Sequence, residues 1–237
     1  MSEVTDHVRS LGPDQGATRD DPRDKGMTLV ELIVAMGILT LVLAIFMAGV
    51  VAMVRTTVRA DSSSSAGDQM RTVFQRMDRE IRYATDINRP AIVGTRQYVE
   101  YRYMEPDNEG VAQCVQWRYD STSKELQRRN WIDGSPASVS AWQSFVTKGR
   151  NDLSVPAQRP FTFYRAGVDD SSGVSYTNQR LRVVLDAGLG SFGDGSGSQL
   201  NTILVARNSS DQSTSNTDSN NDGITDFPVC LTGVGRP

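Results

Sequence analysis

Residues 27–54 read MTLVELIVAMGILTLVLAIFMAGVVAMV, and this stretch decides the fold. Glu31 is its only charged residue, and nothing from Leu32 to Val54 is ionisable. At about 1.5 Å per residue, these residues form a helix of roughly 30 Å or slightly more, which matches the hydrocarbon core of a bilayer. A buried core helix seldom stays apolar on every face for so long. The stretch therefore predicts a membrane-spanning helix.

The preceding segment, residues 1–26, does not have the features of a secretory signal peptide. Such a peptide places a basic region directly before an apolar run of ~7–15 residues and ends at a small-residue cleavage site. Residues 1–26 instead carry both signs of charge, and the apolar run is longer and continues into Arg55 without such a site. Basic residues are slightly more frequent before the span than after it, which favours a cytoplasmic N-terminus by a narrow margin. They are Arg9, Arg19, Arg23 and Lys25 before the span and Arg55, Arg59 and Arg71 after it.

Residues 25–31, KGMTLVE, resemble the processing motif of type IV prepilins, the family of type IV pilins and of the pseudopilins of type II secretion and competence systems. The resemblance implies that a prepilin peptidase cuts between Gly26 and Met27 and methylates the new amine of Met27. It also makes Glu31 the glutamate that is characteristic of the family. Most members begin with phenylalanine where this chain has Met27. Ala48 stands where many members have a proline, so no proline kink is predicted.

Glu31 has a physical reason to need a partner. A charged side chain near the centre of a bilayer costs roughly 2.5–3.5 kcal/mol, so an unpaired one is rare. In a filament, the partner would be the cationic N-terminal amine of a neighbouring subunit, which exists only after cleavage at Gly26. A position at the headgroup level, where the helix dipole favours a carboxylate, is the alternative for a glutamate taken alone. Together with the motif, Glu31 is interpreted as an assembly residue.

The helix is predicted to continue beyond the span into a soluble half. Serines between residues 61 and 67 weaken helix propensity, and apolar residues then recur at spacings of 3 and 4. This period indicates one helix from Met27 to about Ala84, with Glu80 and other charged residues on the faces away from the core. The predicted core stripe consists of Met70, Val73, Phe74, Met77, Ile81 and Ala84.

Beyond Pro90 the pattern changes to β-strands, with β-branched and aromatic residues bounded by Gly, Pro, Asn, Asp and Ser. The prediction is an α+β fold in which the long N-terminal helix packs on a mainly antiparallel sheet. A helical turn is expected near residues 138–145. The predicted strands are 97–104, 112–119, 125–131, 161–165, 180–186 and 202–207. The implied boundaries are a leader at 1–26, the span at 27–54, the soluble half of the helix at 55–89, a β-rich domain at 90–207 and a polar tail at 208–237.

Two further segments, 125–129 (ELQRR) and 161–164 (FTFY), are similar to a subgroup of larger minor pilins and pseudopilins of the W and J type. Size points the same way, because cleavage after Gly26 leaves 211 of the 237 residues, which is large for a major filament subunit. The resemblance therefore implies a minor or accessory role.

The polar tail contains a candidate calcium loop. Residues 208–221, NSSDQSTSNTDSNN, are expected not to bury enough surface to order themselves. Residues 218–226 fit D-x-N-x-D-G-x-x-D, in which alternating oxygen side chains surround a hard cation and the glycine allows a sharp turn. Val229 replaces the usual twelfth-position glutamate, and a solvated turn is the alternative. The candidate calcium ligands are Asp218, Asn220, Asp222 and Asp226.

The chain has two cysteines, Cys114 on a predicted strand and Cys230 in the tail. Outside the membrane, a disulfide between them would tether the tail and close a long loop, worth ~4–5 kcal/mol in the chain-entropy model. Two separate buried thiols are the alternative.

Catalytic chemistry is not visible in the sequence. The single histidine, His7, lies in the leader, so a cleaved chain has no histidine for a triad or a metal site. The sequence has no Gly-rich phosphate loop and no G-x-S-x-G elbow. A net charge of −3 gives no basic footprint for nucleic acid. We therefore predict a protein that is not an enzyme and that has no cofactor other than structural calcium.

The resemblance implies a structural subunit of a type IV pilus or pseudopilus-like filament. Its partners would be the prepilin peptidase, other pilin or pseudopilin subunits, an inner-membrane assembly platform and membrane lipid. It would span the cytoplasmic membrane once, with a cytoplasmic leader and an extracytoplasmic C-terminal domain, before entering a cell-surface or envelope filament. The sequence does not choose among motility, adhesion, secretion and DNA uptake. The alternative is a single-span, membrane-anchored extracellular binding module, adhesin or lectin-like, that does not polymerise.

Overall fold

The computed structural model describes residues 26–104, 110–168, 173–220 and 222–231. These residues form one α-helix, α1 (Leu29–Arg82), followed by eleven β-strands and three short 3₁₀-helices. The strands are β1 (Ala84–Ile87), β2 (Ala91–Val93), β3 (Arg96–Met104), β4 (Ala112–Asp120), β5 (Glu125–Ile132), β6 (Gln143–Val146), β7 (Phe161–Tyr164), β8 (Gly167–Val168), β9 (Ser175–Tyr176), β10 (Arg180–Gly188) and β11 (Gly197–Val205). The 3₁₀-helices are Pro136–Ser138, Pro156–Gln158 and Thr214–Asn216. The predicted α+β fold, with one long N-terminal helix and antiparallel sheets, is confirmed.

The chain divides into two compact units, Met1–Val51 and Ala52–Pro237, and α1 contributes to both. Every described side chain of the first unit is exposed. By length and composition, α1 is long and apolar enough to cross a membrane. The serines at 62–65 do not interrupt the helix.

In the second unit, one face of α1 is buried in the core, but its composition differs from the predicted stripe. The helix ends at Arg82, so Ala84 of the predicted stripe lies in β1, and the buried face begins earlier, at Ser62 and Ala66. Phe74 was predicted to be buried and is 38% exposed, because it lies at the margin of the stripe. Glu80 was placed on a polar face and is buried, because basic and hydroxyl groups surround its carboxylate. The buried helix residues are Ser62, Ala66, Met70, Val73, Met77, Glu80 and Ile81.

The strands form two main antiparallel sheets. The larger has the order β1-β3-β4-β5-β6, with β2 also paired to β3, and the smaller has the order β11-β10-β7. Strands β8 and β9 form a separate two-stranded ribbon. One hydrophobic core joins the buried helix face to both sheets, and its largest strand residues include Tyr101, Trp117, Tyr119 and Phe161.

The observed strands include all six that the sequence predicts. Two regions differ from the prediction: the start of the last strand and the segment near residues 138–145. The last one was predicted at 202–207, whereas β11 begins at Gly197. The helical turn predicted near 138–145 is wrong. That region contains the 3₁₀-helix Pro136–Ser138, and β6 then pairs with β5. Pairing with β5 satisfies backbone groups of β6 that a single helical turn would leave exposed.

The described tail residues 208–220 pack against β1, contrary to the expectation that this segment would not order itself. Ser209 and Ser215 are buried. The Thr214 hydroxyl donates to Asp86 Oδ2 (2.7 Å), and Ser215 Oγ also donates to Asp86. Hydrogen bonds to a buried carboxylate therefore hold a segment that has almost no apolar surface to bury. Further along the chain, Cys230 forms a disulfide with Cys114.

Candidate processing junction and anchor

The start of α1 is fixed by a side-chain cap. The N–H of Glu31 donates to Thr28 Oγ1 (3.2 Å), and the N–H of Leu32 donates to the Thr28 carbonyl (3.1 Å). Thr28 therefore occupies the N-cap position, and Glu31 follows three residues later, as in a capping box. This Thr-x-x-Glu spacing is a signal for the helix start that the sequence analysis missed. Because the helix begins after Thr28, Gly26 and Met27 lie outside it.

Nothing within the described chain explains why residue 26 is glycine. Among the described residues, a Cβ added there would meet no atom within 4 Å. Glycine is normally required where the backbone is strained or approached closely. The space at Gly26 is therefore available to another molecule that reads the backbone, as a peptidase does.

Met27 and Glu31 are both accessible. Met27 is 66% exposed, and the Glu31 side chain is exposed in the first turn of the helix. Within the described residues, no cation pairs with the Glu31 carboxylate. After cleavage, Met27 would carry a free amine. Glu31 supplies a carboxylate that has no counter-charge among the described residues.

The helix beyond the junction exposes apolar side chains on all sides. Ile33, Ile38 and Val42 are each more than half exposed, and so are most other large side chains of this segment. Soluble monomeric proteins rarely expose continuous apolar surface of this extent. The segment therefore requires lipid or other apolar helices around it.

The candidate calcium ligands lie together in the tail, but their oxygens are bonded to the chain itself. Asp218 accepts the N–H groups of Asp222 and Gly223 (both 3.1 Å), and Asp226 accepts the N–H of Ser219 (2.9 Å). The bonds from Ser219 lower the pKa of Asp226.

A cation of the chain also reaches this loop. Arg89 Nη1 lies 3.3 Å from Asp218 Oδ2. A carboxylate oxygen can accept a backbone N–H and still bind a cation, but calcium bound at Asp218 would compete with this guanidinium. The calcium assignment therefore stays a prediction.

A second group of potential metal-ligand atoms already takes part in a disulfide and in hydrogen bonds. Cys114, Asp133 and Cys230 bring their ligand atoms within 4.8 Å of one another. The two cysteines are joined as a disulfide, and Asp133 accepts bonds from Arg102 (2.7 Å) and from the N–H of Leu231 (2.8 Å). The cluster anchors the tail to β4 and β5.

The apolar helix and the α+β globular unit define a class: a protein whose described N-terminal helix is long and apolar enough to cross a membrane and is followed by a globular unit. A family model described as the prokaryotic N-terminal methylation motif matches residues 21–47. No curated protein and no solved structure matches the chain significantly. Over residues 21–47 the chain therefore carries the N-terminal motif of type IV prepilin-like proteins, and the helix that begins there is long and apolar enough to cross a membrane. The match does not extend to the sheets, so the W and J subgroup is not confirmed.

Proposed function

We propose that the chain is a minor or accessory subunit of a type IV pilus or pseudopilus-like filament. Peptidase cleavage after Gly26 creates a methylated amine on Met27, and the mature subunit assembles through the exposed apolar half of α1. The proposal is supported by one observation above all. A glycine junction directly precedes the first half of α1, residues 29–54, which is apolar on every face and carries a single carboxylate, that of Glu31.

Glu31 supplies the specificity of this assembly. Burying the helix among other apolar helices is favourable but non-directional, because the hydrophobic effect follows area and not register. A carboxylate in a low-dielectric environment interacts strongly with an opposite charge and is costly without one. Pairing Glu31 with the Met27 amine of a neighbour therefore fixes the axial register of the subunits.

The first experiment is intact mass and N-terminal peptide mapping of the protein from membranes with active prepilin peptidase. The expected product begins at methylated Met27. Gly26→Val should remain uncleaved, because a branched side chain fills the space open to the peptidase. Gly37→Val is the matched control, because its added Cβ also meets nothing within 4 Å, and it should be processed normally. Retention of residues 1–26 in the unmodified chain would contradict the proposal and favour the anchored binding module.

A second experiment separates processing from assembly. Glu31→Gln removes the charge and keeps the shape, so the variant should be cleaved but should be lost from sheared filaments. Asp61→Asn removes a carboxylate outside the apolar segment and should be incorporated like the unmodified chain. Equal incorporation of both variants would exclude the register-setting role of Glu31. The abundance of the chain relative to the main filament subunit tests the minor role directly.

A further inference from the structure

A cavity of about 290 Å³ lies at the outer edge of β7 in the second unit. Arg89 and Arg159 line it, and none of the described residues around it is acidic. The apolar residues that line it are Pro90, Pro156, Phe161 and Phe163. An apolar wall with a few polar groups is typical of a site for a small ligand, and this volume is near the lower end of the usual range.

The polar tail holds Arg89 in place but leaves one of its donors unused. Arg89 Nη1 lies 3.3 Å from Asp218 Oδ2, and Arg89 Nη2 donates to the Asn216 carbonyl (3.3 Å). Arg89 Cζ lies 5.7 Å from the centre of the Phe163 ring. Arg89 Nε is buried and has no hydrogen-bond partner among the described residues. Buried donors are nearly always satisfied in folded proteins, so this N–H indicates a missing acceptor.

Arg159 supplies the charge that the chain does not offset. Its Nε donates to the Leu153 carbonyl (3.1 Å), and among the described residues it forms no ion pair. The charge of Arg89 is offset by Asp218, and Arg89 also lowers the pKa of Asp226. One uncompensated positive charge therefore faces the cavity, which suits a monoanion better than a dianion.

The backbone of β7 adds a further donor. The N–H of Val184 on β10 donates to the Pro160 carbonyl (2.9 Å), which sets the phase of the ladder between β10 and β7. Odd-numbered residues of β7 therefore direct their N–H and C=O groups away from β10. The Gln97 amide bonds both outward groups of Phe161, at 3.0 and 2.9 Å. In the part of the chain that the structure describes, no hydrogen bond reaches the outward N–H of Phe163.

We propose that this cavity binds the carboxylate of a ligand that also carries an apolar group. Arg159 provides the charge, the N–H of Phe163 and Arg89 Nε provide further donors, and the proline and phenylalanine side chains contact the apolar group. Hydrogen bonds between a guanidinium and a carboxylate are charge-assisted and stronger than neutral ones. A small organic acid and the C-terminus of a peptide share this chemistry. The site does not depend on the proposed function.

Calorimetric titration of the full-length chain in detergent with benzoate tests the site. Benzamide, which has the same ring without the charge, should bind at least about tenfold more weakly. Arg159→Gln should weaken benzoate binding about 10- to 100-fold, because it removes charge-assisted hydrogen bonds, and should keep the melting temperature. Arg182→Gln is the matched control, because Arg182 lies on the neighbouring strand β10 and does not line the cavity. It should bind benzoate as the unmodified chain does.

A peptide distinguishes the two sources of the carboxylate. N-acetyl-glycyl-phenylalanine should bind, and its C-terminal amide should not. Tighter binding of this peptide than of benzoate assigns the site to peptide C-termini, and the reverse order assigns it to small organic acids. Inorganic phosphate that binds as tightly as benzoate would indicate a site for charge alone and would overturn the proposal. Absence of binding by both carboxylates would also overturn it, and so would equal losses from Arg159→Gln and Arg182→Gln.

Discussion

Glu80 shows how a single buried carboxylate can join a helix to a sheet. It is 1% exposed, and Arg128 Nη2 on β5 donates to its Oε1 (2.7 Å). The Tyr101 hydroxyl on β3 donates to its Oε2 (2.6 Å), and Trp117 Nε1 donates to that hydroxyl (2.8 Å). The polar atoms of this core network therefore satisfy one another, which is the condition for burying charge without a large penalty.

Glu80→Gln should destabilise the second unit strongly. The substitution leaves the Arg128 guanidinium buried at 4% exposure without a counter-charge, and breaking such a pair costs about 3–5 kcal/mol. Denaturant unfolding followed by tryptophan fluorescence measures the loss. Asp78→Asn is the control, because its pair with Arg82 is partly exposed and should cost less than about 1 kcal/mol. Equal losses for the two variants would show that the network does not stabilise the fold.

Tyr101 makes the protein sensitive to alkaline pH. Burial raises the pKa of Tyr101 well above its usual value, and the charge of Glu80 adds to the shift. A tyrosine whose pKa is raised by folding stabilises the folded state below its unfolded pKa of about 10, and this stability is lost progressively as the pH rises further. The melting temperature should therefore fall as the pH rises above about 10.

Tyr101→Phe should melt at a lower temperature at neutral pH, because it removes hydrogen bonds to Glu80 and Trp117, but it should lose less stability on going to alkaline pH. Tyr83→Phe, on a 37% exposed ring, is the control and should keep the full alkaline loss. A Tyr101→Phe profile parallel to that of the unmodified chain would refute this explanation.

At the scale of elements, the disulfide determines how firmly the tail is held. Cys114 and Cys230 are fully buried beside Trp131 and Val229, and they are 116 residues apart in sequence. A cross-link over such a loop contributes ~4–5 kcal/mol in the chain-entropy model. The double variant Cys114→Ser, Cys230→Ser should lose stability of this order in denaturant unfolding. Dithiothreitol should destabilise the unmodified chain and leave the variant unchanged. A response of both to dithiothreitol would contradict the assignment.

The calcium loop can be tested through the arginine beside it. If the loop binds calcium, Arg89 competes for Asp218, so Arg89→Gln should bind the ion more tightly than the unmodified chain in a calorimetric titration. Asp222→Asn should weaken binding in both backgrounds. No heat of binding in either protein at millimolar calcium would remove the calcium prediction.

Strands and motifs were predictable from the sequence where neighbouring residues determine them. The six predicted strands follow from β-branched and aromatic residues between turn-forming clusters, and Gly26, Met27 and Glu31 stand out because their motif is contiguous. The burial of Glu80 was not predictable, because its partner Arg128 is 48 residues away. The packing of the tail was missed for the same reason, since Ser215 is held by Asp86, which is 129 residues away. The spacing of apolar residues predicts which side chains the hydrophobic effect buries. The contacts of Glu80 and Ser215 depend instead on hydrogen bonds between residues far apart in sequence.

At the scale of the whole molecule, the two units should respond independently to mutation. Among the described residues, the hydrophobic core lies in the second unit, and residues 29–51 of the first form an exposed apolar helix. The double variant Leu39→Arg, Val42→Arg places two charges in the span, and each costs roughly 2.5–3.5 kcal/mol near the bilayer centre. The variant should become extractable from membranes by alkaline carbonate and should keep the melting temperature of the second unit.

Val58→Arg, beyond the apolar stretch, should remain membrane-bound. If the Leu39→Arg, Val42→Arg variant stays in the carbonate pellet, the span is not what anchors the chain.

The tail also has a consequence for the order of biosynthesis. Ribosomes make residues 208–230 after every strand of both sheets, yet the edge of β1 and the disulfide depend on that segment. Under the proposed function, these residues are also the last of the second unit to cross the membrane. Every strand therefore crosses before the segment that bonds to the edge of β1 and closes the disulfide. Ser213, which donates to the Thr85 carbonyl at 3.0 Å, then helps to complete the structure only on the far side of the membrane.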